Sequence, residues 1–339
     1  MLAASEAGSG AVLAALSKAW KPKDGSIVVA SPIASQYFAD LPLRVVPDSI
    51  DEFDLRELLA TTAPEVVITG ASAGKSIEKR VLNAAHLAAI RVVAFVDHYW
   101  NLWQRFADPE VATPWQYLPD RIYVPAAACA ARLREMGCPL SEVHVYEHPL
   151  LKMGKCERSQ SEGKAFRCNL GIAENALVIL FISEYLFPPD DRWQWDQPNA
   201  MDYSELLTLL LNISTRKDLK RPIVILVRPH PSEPQDRWDE LCESVQSANW
   251  RNVGQAAKNN LIGCADVVVG LNSNFLLEAA ANGLPCYSYH FSSTNMESWL
   301  SSIRTEIVEL GTEFEMQTLF ERMCETNAWC MNDRNVNLP

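Results

Sequence analysis

No stretch of this 339-residue sequence is apolar enough to cross a membrane, since no uninterrupted run approaches the roughly 18 residues that a span requires. Basic charge is also short: 30 Lys and Arg face 42 Asp and Glu, for a formal net charge of −12. That balance argues against nucleic acid or an anionic membrane as a general surface partner, although a local basic patch inside a site is compatible with it. The nine cysteines form no CxxC pair, keep no Cys/His ligand spacing, and are odd in number. Reduced thiols in a cytoplasmic chain fit that pattern. A disulfide framework or a zinc centre does not, and no metal site is expected. The opening stretch MLAASEAGSGAVLAALSKAWK carries Glu6 and lacks a basic leader, so it reads as an amphipathic helix rather than a signal peptide. Without a span, any membrane contact would be peripheral.

What is present is a βα rhythm. Apolar, β-branched runs predict strands over 26–31, 44–47, 65–69, 91–96, 121–124 and 143–147, with helices over 51–62, 77–90 and 126–136 between them. IVVA, VVIT and RVVAFV are apolar on both faces, as central parallel strands covered by helices on each side are. Residues 152–167 (KMGKCERSQSEGKAFR) are polar and aperiodic, and read as a linker. The rhythm then resumes, with strands over 177–182, 223–227, 252–253, 267–269, 286–289 and 307–309, and helices over 203–213, 237–246, 275–281 and 314–326. The expectation is an α/β protein of two Rossmann-like, doubly wound domains facing a cleft, 1–151 and 168–339, with the last helix packing back on the first domain. A loop over 185–200 (YLFPPDDRWQWDQPNA) is long enough to suggest function, with a plain surface excursion as the alternative.

Four stretches end strands at the edge where doubly wound sheets bind ligands. Gly70-Ala71-Ser72-Ala73-Gly74-Lys75-Ser76 resembles a phosphate loop, but the first glycine of that spacing would fall on Thr69. Gly70, Ser72 and Lys75 remain candidates for binding an acceptor through a turn that opens a helix. In VDHYWNLWQRF, Asp97 followed by His98 can act as base and orienter, with a capping or buried hydrogen-bonded pair as the alternative, and Asn101 and Arg105 with the aromatics form a sugar-facing or helix-packing surface. Trp100, Trp103 and Phe106 read as core. Val227-Arg228-Pro229-His230-Pro231 holds a histidine stiffly between prolines, with Arg228 suited to phosphate. Last, GLNSNFLLEAAANGLP runs from strand to helix to glycine, with Ser273 or Asn274 as N-cap and free N–H groups suited to an anion.

These residues resemble a known superfamily. Glu278 to Pro285 (EAAANGLP) is similar to the EAxAxGxP segment of GT-B glycosyltransferases, whose glutamate binds the donor ribose. The RPHP and GLNSN stretches resemble parts of CDP-glycerol glycerophosphotransferases and of bacterial capsule or sialic-acid-type transferases. ITGASAGKSIEK and VDHYWNLWQRF resemble segments of polysaccharide-biosynthesis proteins of the same build. In many retaining members a glutamate stands eight positions before the ribose glutamate; here that position is Gly270.

The resemblance implies a metal-independent glycosyltransferase without a cofactor. It would move a sugar or polyol phosphate from a nucleotide-activated donor to a glycan or surface-polysaccharide acceptor. Glu184, Arg228, His230, Asn272, Ser273, Asn274 and Glu278 would hold the donor nucleotide. Asp97, His98 and His230 would carry catalysis, and Gly70, Ser72, Lys75 and Arg105 would face the acceptor. The alternatives are a nucleotide-sugar epimerase or hydrolase of the same fold, or a non-catalytic nucleotide-sugar-binding protein. No nucleic-acid partner is implied.

Overall fold

The computed structural model describes residues 1–20, 26–99, 101–108, 110, 113–149, 160–184, 204–216, 218–231, 233, 235–244, 249–254, 256–289, 300 and 306–325. These fall into two compact units, one within 1–149 and the other within 160–325.

The first unit holds a seven-stranded sheet in the order β3-β2-β1-β4-β5-β6-β7. Its strands are β1 (Leu2–Ala4), β2 (Val28–Ala30), β3 (Leu43–Val45), β4 (Val66–Thr69), β5 (Arg91–Phe95), β6 (Arg121–Val124) and β7 (Val143–Val145). Every pairing is parallel. Helices cover both faces. α1 (Ala7–Trp20) and the short α2 (Pro32–Ser35) shelter Leu2, Ala4, Val28 and Ala30. On the opposite face α3 (Glu52–Thr62) and α4 (Ile77–Leu87) bury Ala3, Val29, Val67 and Val92. α5 (Ala127–Glu135) packs on β6 and β7. The caps are local and chemical: Asp51 accepts from Phe53 N at 2.6 Å and Ser76 from Lys79 N at 3.3 Å.

The second unit repeats the plan with six parallel strands in the order β10-β9-β8-β11-β12-β13. They are β8 (Leu177–Ile182), β9 (Ile223–Arg228), β10 (Trp250–Asn252), β11 (Val267–Gly270), β12 (Cys286–Tyr289) and β13 (Ile307–Leu310). All six residues of β8 are buried, which is the run apolar on both faces that a central parallel strand needs. The helices are α6 (Gln160–Asn169), α7 (Ser204–Ser214), α8 (Gln235–Ser244), α9 (Lys258–Cys264), α10 (Asn274–Ala281) and α11 (Glu313–Glu325).

Two expectations need correction. The opening stretch is not one helix: Leu2–Ala4 is a strand at the centre of the first sheet, paired with both Val28–Ala30 and Ile68–Thr69, and the helix begins only at Ala7. Leu and Ala favour helix, but burial between two ladders overrides that preference. The linker reading fails over 160–167, which is helical, while 152–159 lies outside the described residues. Polar α6 is held by geometry instead. Gly163 lies against the backbone of Gly263 on α9, Arg167 Nε donates to Cys264 O at 2.6 Å, and its guanidinium pairs with Asp266 at 2.9 Å. The last described helix is part of the second unit's core. Met316, Leu319, Phe320 and Met323 of α11 belong to the second unit's own core, against α7 and β13.

The loop over 185–200 lies outside the described residues. The described cysteines are all free thiols, and no helix among the described residues is long and apolar enough to cross a membrane.

The glycine contact between α6 and α9 yields a prediction. A Cβ at residue 163 would overlap the Gly263 carbonyl, so Gly163→Ala should destabilise the protein by about 1–3 kcal/mol in urea denaturation, as overpacking does. Lys164→Ala, on the exposed side of the same helix, should stay within about 0.5 kcal/mol of the parent. Equal effects would refute the close contact.

Candidate functional sites at two strand edges

Strand order reverses between β1 and β4 in the first sheet and between β8 and β11 in the second. At such a point the two neighbouring loops leave toward opposite faces, opening the crevice where doubly wound sheets take ligands. Buried glutamates tie the loops together at both places.

In the second unit that glutamate is Glu184, two residues past β8. Its Oε1 accepts from Asn272 N, in the loop after β11, at 2.5 Å. Burial pushes its pKa up to about 7, the Asn272 N–H pulls it down, and Glu233 adds to the rise. Ser273 then caps α10, accepting from Phe275 N at 3.3 Å, so the helix N-terminus opens at this edge. Arg228, ending β9, stacks its guanidinium 4.9 Å from the Phe275 ring centroid. His230 N donates to Ser183 Oγ at 2.9 Å and to Glu233 Oε2 at 2.8 Å, and Ser183 bonds Glu233 in turn. Burial and the Arg228 charge lower the His230 pKa to about 4, so the ring is neutral at pH 7 and acts through hydrogen bonds, not charge. One turn into α10, both carboxylate oxygens of Glu278 meet Lys258 Nζ at 2.7 Å.

The first unit's edge is made of acids and their partners. Glu78 of α4, 2% exposed, accepts from Ser5 N at 2.9 Å and Ser9 Oγ at 2.8 Å, joining α4 to the β1–α1 loop. Ser5 Oγ in turn accepts from Ile77 N at 2.7 Å. Asp97 follows β5 and is buried in an ion pair with Arg105 at 3.0 Å; Arg105 also bonds Ala71 O. Gly8 lies so close to Asp97 that a Cβ there would overlap its carboxylate. Lys79 Nζ is buried and donates to Ala73 O at 2.8 Å and Gln104 O at 3.2 Å, and burial lowers its pKa to about 8. His148 is fully buried, its Nε2 3.3 Å from Asp97 O.

The structure thus brings Glu184, Arg228, His230, Asn272, Ser273, Asn274 and Glu278 to one edge of the second sheet. Gly70, Ser72, Asp97, His98 and Arg105 lie at one edge of the first. Lys75 is apart from the buried group, exposed and paired with Glu110 at 2.5 Å. Phe106 is core and Trp103 half-buried, while Trp100 lies outside the described residues. Gly270 ends buried β11, where a Cβ would stand 3.2 Å from Ile182 O, so a glutamate has no ready place there. Sequence reasoning missed Glu6, Glu78, Lys79, His148, Glu233 and Lys258. Only Glu233 had a local signal, the three-residue reach back from a glutamate to a backbone N–H that a capping box uses.

No family model and no curated protein sequence matches the chain. Solved structures do. S. aureus MnaA, in a structure with UDP, matches with a TM-score of 0.68 at 12% identity, over 96% of this chain and 87% of that one. The UDP-GlcNAc 2-epimerase of Methanocaldococcus jannaschii matches with 0.63 at 12%, over 99% and 93%. The wall teichoic acid polymerase TagF matches with 0.52 at 10%, over 96% and 80%. At such identities the likeness is one of fold. The chain has the GT-B-like fold of these proteins, two units each with a parallel sheet and interleaved helices.

The Glu184 carboxyl makes stability pH-dependent in a defined direction. Its folded pKa, about 7, lies above its ordinary 4.5, so the folded state keeps a proton that the unfolded chain has lost. Stability through this group falls as pH rises from about 4.5 to about 7 and is flat above. Glu184→Gln should remove that slope. Between pH 5 and 7.5 the parent should lose on the order of 1–3 kcal/mol more than the variant in urea denaturation; parallel profiles would refute the assignment.

Proposed function

We propose that this chain is an enzyme acting on a nucleotide-activated sugar, with the nucleotide at the strand edge of the second unit. The observation that carries this reading is the convergence of an anion-binding set at that sheet's switch point. A capped helix N-terminus, the Arg228 guanidinium and the neutral His230 imidazole meet there. In this reading Arg228 and the first turn of α10 take up the charge of the departing diphosphate, His230 donates a hydrogen bond, and Glu278 faces the ribose. Asn272 and Asn274 line the same loop, and Glu184 keeps that loop in place. Sugar-side chemistry falls to the first unit's acidic edge around Asp97 and His98, with Gly70, Ser72, Lys75 and Arg105 as the acceptor residues of a transferase.

Two finer readings share this frame. Transfer to a glycan acceptor is supported by the RPHP, GLNSN and EAAANGLP stretches and by the fold likeness to the TagF polymerase. Epimerisation of a nucleotide sugar is supported by the likeness to proteins described as UDP-GlcNAc 2-epimerases. The two differ in product: transfer releases free nucleotide and needs an acceptor, whereas epimerisation returns a nucleotide sugar.

Calorimetric titration with UDP, CDP, CMP and GDP tests the frame. At least one should bind, and His230→Ala, Ser273→Ala and Arg228→Ala should each weaken it by about 10–100-fold, the worth of a hydrogen bond to a charged group. Binding of none of the four would end the nucleotide-sugar reading. Incubating the matching sugar conjugate with and without glycan acceptor then separates the two chemistries by their products.

A further inference from the structure

Three carboxylates gather at the first unit's switch point, and they are not equivalent. Glu78 is buried and occupied by Ser5 N and Ser9 Oγ. Asp97 is buried, closed off by Gly8 and paired with Arg105. Glu6 alone of the three is exposed to solvent, and no hydrogen bond or ion pair engages its carboxylate among the described residues. Its backbone is nonetheless fixed, because Glu6 N donates to Ser9 Oγ at 3.2 Å and Gly10 N donates to Glu6 O at 2.9 Å.

We propose that Glu6 is the proton-transferring carboxylate of this edge, taking the proton that the sugar-side chemistry releases. The assignment rests on the nucleotide-sugar reading and deepens it. Independent of the acids, the same loops carry buried polar atoms suited to a ligand's hydroxyls. Thr69 Oγ1, Ser72 Oγ, Glu78 Oε2 and Asn101 Oδ1 have no hydrogen-bond partner among the described residues. Each of these residues is more than nine-tenths buried.

The electrostatics fit the task. Although the Glu6 carboxyl reaches solvent, the protein mass around it disfavours the charged form and pushes its pKa up to about 7. Arg105 opposes the rise, Glu78 and Asp97 add to it, and Lys79 opposes it again. A carboxyl poised there is half-ionised at neutral pH and can both take and return a proton. Asp97, held by Arg105 and closed off by Gly8, serves to position Arg105 and the loop. In the step itself the Glu6 carboxylate removes a proton from an acceptor hydroxyl, from water, or from the sugar carbon beside the anomeric centre. The electron pair of the broken bond forms the new bond at the anomeric carbon. The bond from that carbon to the diphosphate breaks with its electrons on oxygen; the proton then leaves Glu6 for solvent or, in epimerisation, returns to the sugar carbon as the diphosphate oxygen re-forms its bond to the anomeric carbon.

Two measurements on the full chain decide this. Carbon-13 NMR of glutamate-labelled protein should show two carboxyls titrating near pH 7, one lost in Glu184→Gln and the other in Glu6→Gln; an ordinary carboxylate midpoint for the resonance lost in Glu6→Gln overturns the proposal. Turnover of UDP-, CDP- and GDP-hexoses, with and without glycan acceptor, should fall by about 10²–10⁴-fold in Glu6→Gln while affinity for the free nucleotide stays within twofold. The parent's kcat/KM should decline as pH drops below about 7. Glu6→Asp should keep that acidic limb, and the residual rate of Glu6→Gln should lack it. Parent-like turnover by Glu6→Gln, or a limb lost in Asp97→Asn but kept in Glu6→Gln, rejects Glu6 alone. A parent that binds nucleotide but converts no conjugate rejects the proton-transfer role and leaves the nucleotide reading standing. A parent that binds none of the nucleotides removes both.

Discussion

The tie across each switch point is the constraint on which both edges depend. Where strand order reverses, the two loops share no ladder and leave for opposite faces, so their backbone N–H groups need another partner. Glu78 answers that need for Ser5 and Glu184 for Asn272. Burying a carboxylate is costly unless it is hydrogen-bonded, and in each unit the loop donor that it satisfies is what makes its burial tolerable. The result is mutual: the glutamate is held by the loops, and the loops are held by the glutamate. Everything downstream, the Ser273 cap, the His230 turn and the Asp97 pair, is placed relative to a loop fixed in this way.

Much of the fold was legible because parallel sheets write themselves into sequence as apolar runs. Strands such as Leu177–Ile182 and Cys286–Tyr289 stand where their patterns put them, since burial on both faces leaves no ambiguity of register. Failures came where the determining contact was distant. Leu2–Ala4 has three residues and no β-branched side chain, and only Val28 and Ile68 on either side make it a strand. Missing it concealed the first switch point and left Glu6 inside an imagined helix. The helix Gln160–Asn169 was illegible for a related reason. Its docking depends on an absent side chain at Gly163 and on Arg167 reaching Cys264, about a hundred residues away, and neither leaves a periodic trace.

The sites divide along the same line. Ser273 and the helix it caps were visible because capping is a local affair of a few residues. Asp97 and Arg105 were both singled out, yet their pairing across eight residues of irregular backbone was not, and that pairing changes what Asp97 can do. Lys258 on Glu278 is a contact over twenty residues between two helices, with no signature in either segment. It gives the candidate ribose carboxylate a resident cation, so a ribose hydroxyl would meet a carboxylate already oriented by Lys258.

The two edges carry opposite chemistry. In the second unit the groups facing outward are N–H donors at a helix start, a guanidinium on an aromatic ring and an imidazole kept neutral by burial and by Arg228. Such a set stabilises negative charge. In the first unit the set is Glu6, Glu78 and Asp97 with Arg105 and Lys79 among them. The two cations are consumed, Arg105 by Asp97 and Ala71, Lys79 by backbone carbonyls, so this edge is poor at binding an anion. It is suited to moving a proton, because the surrounding protein mass, with Glu78 and Asp97 adding to it, raises the pKa of Glu6, the one acid that solvent can reach. Neither edge could supply the other's set without undoing its own electrostatics.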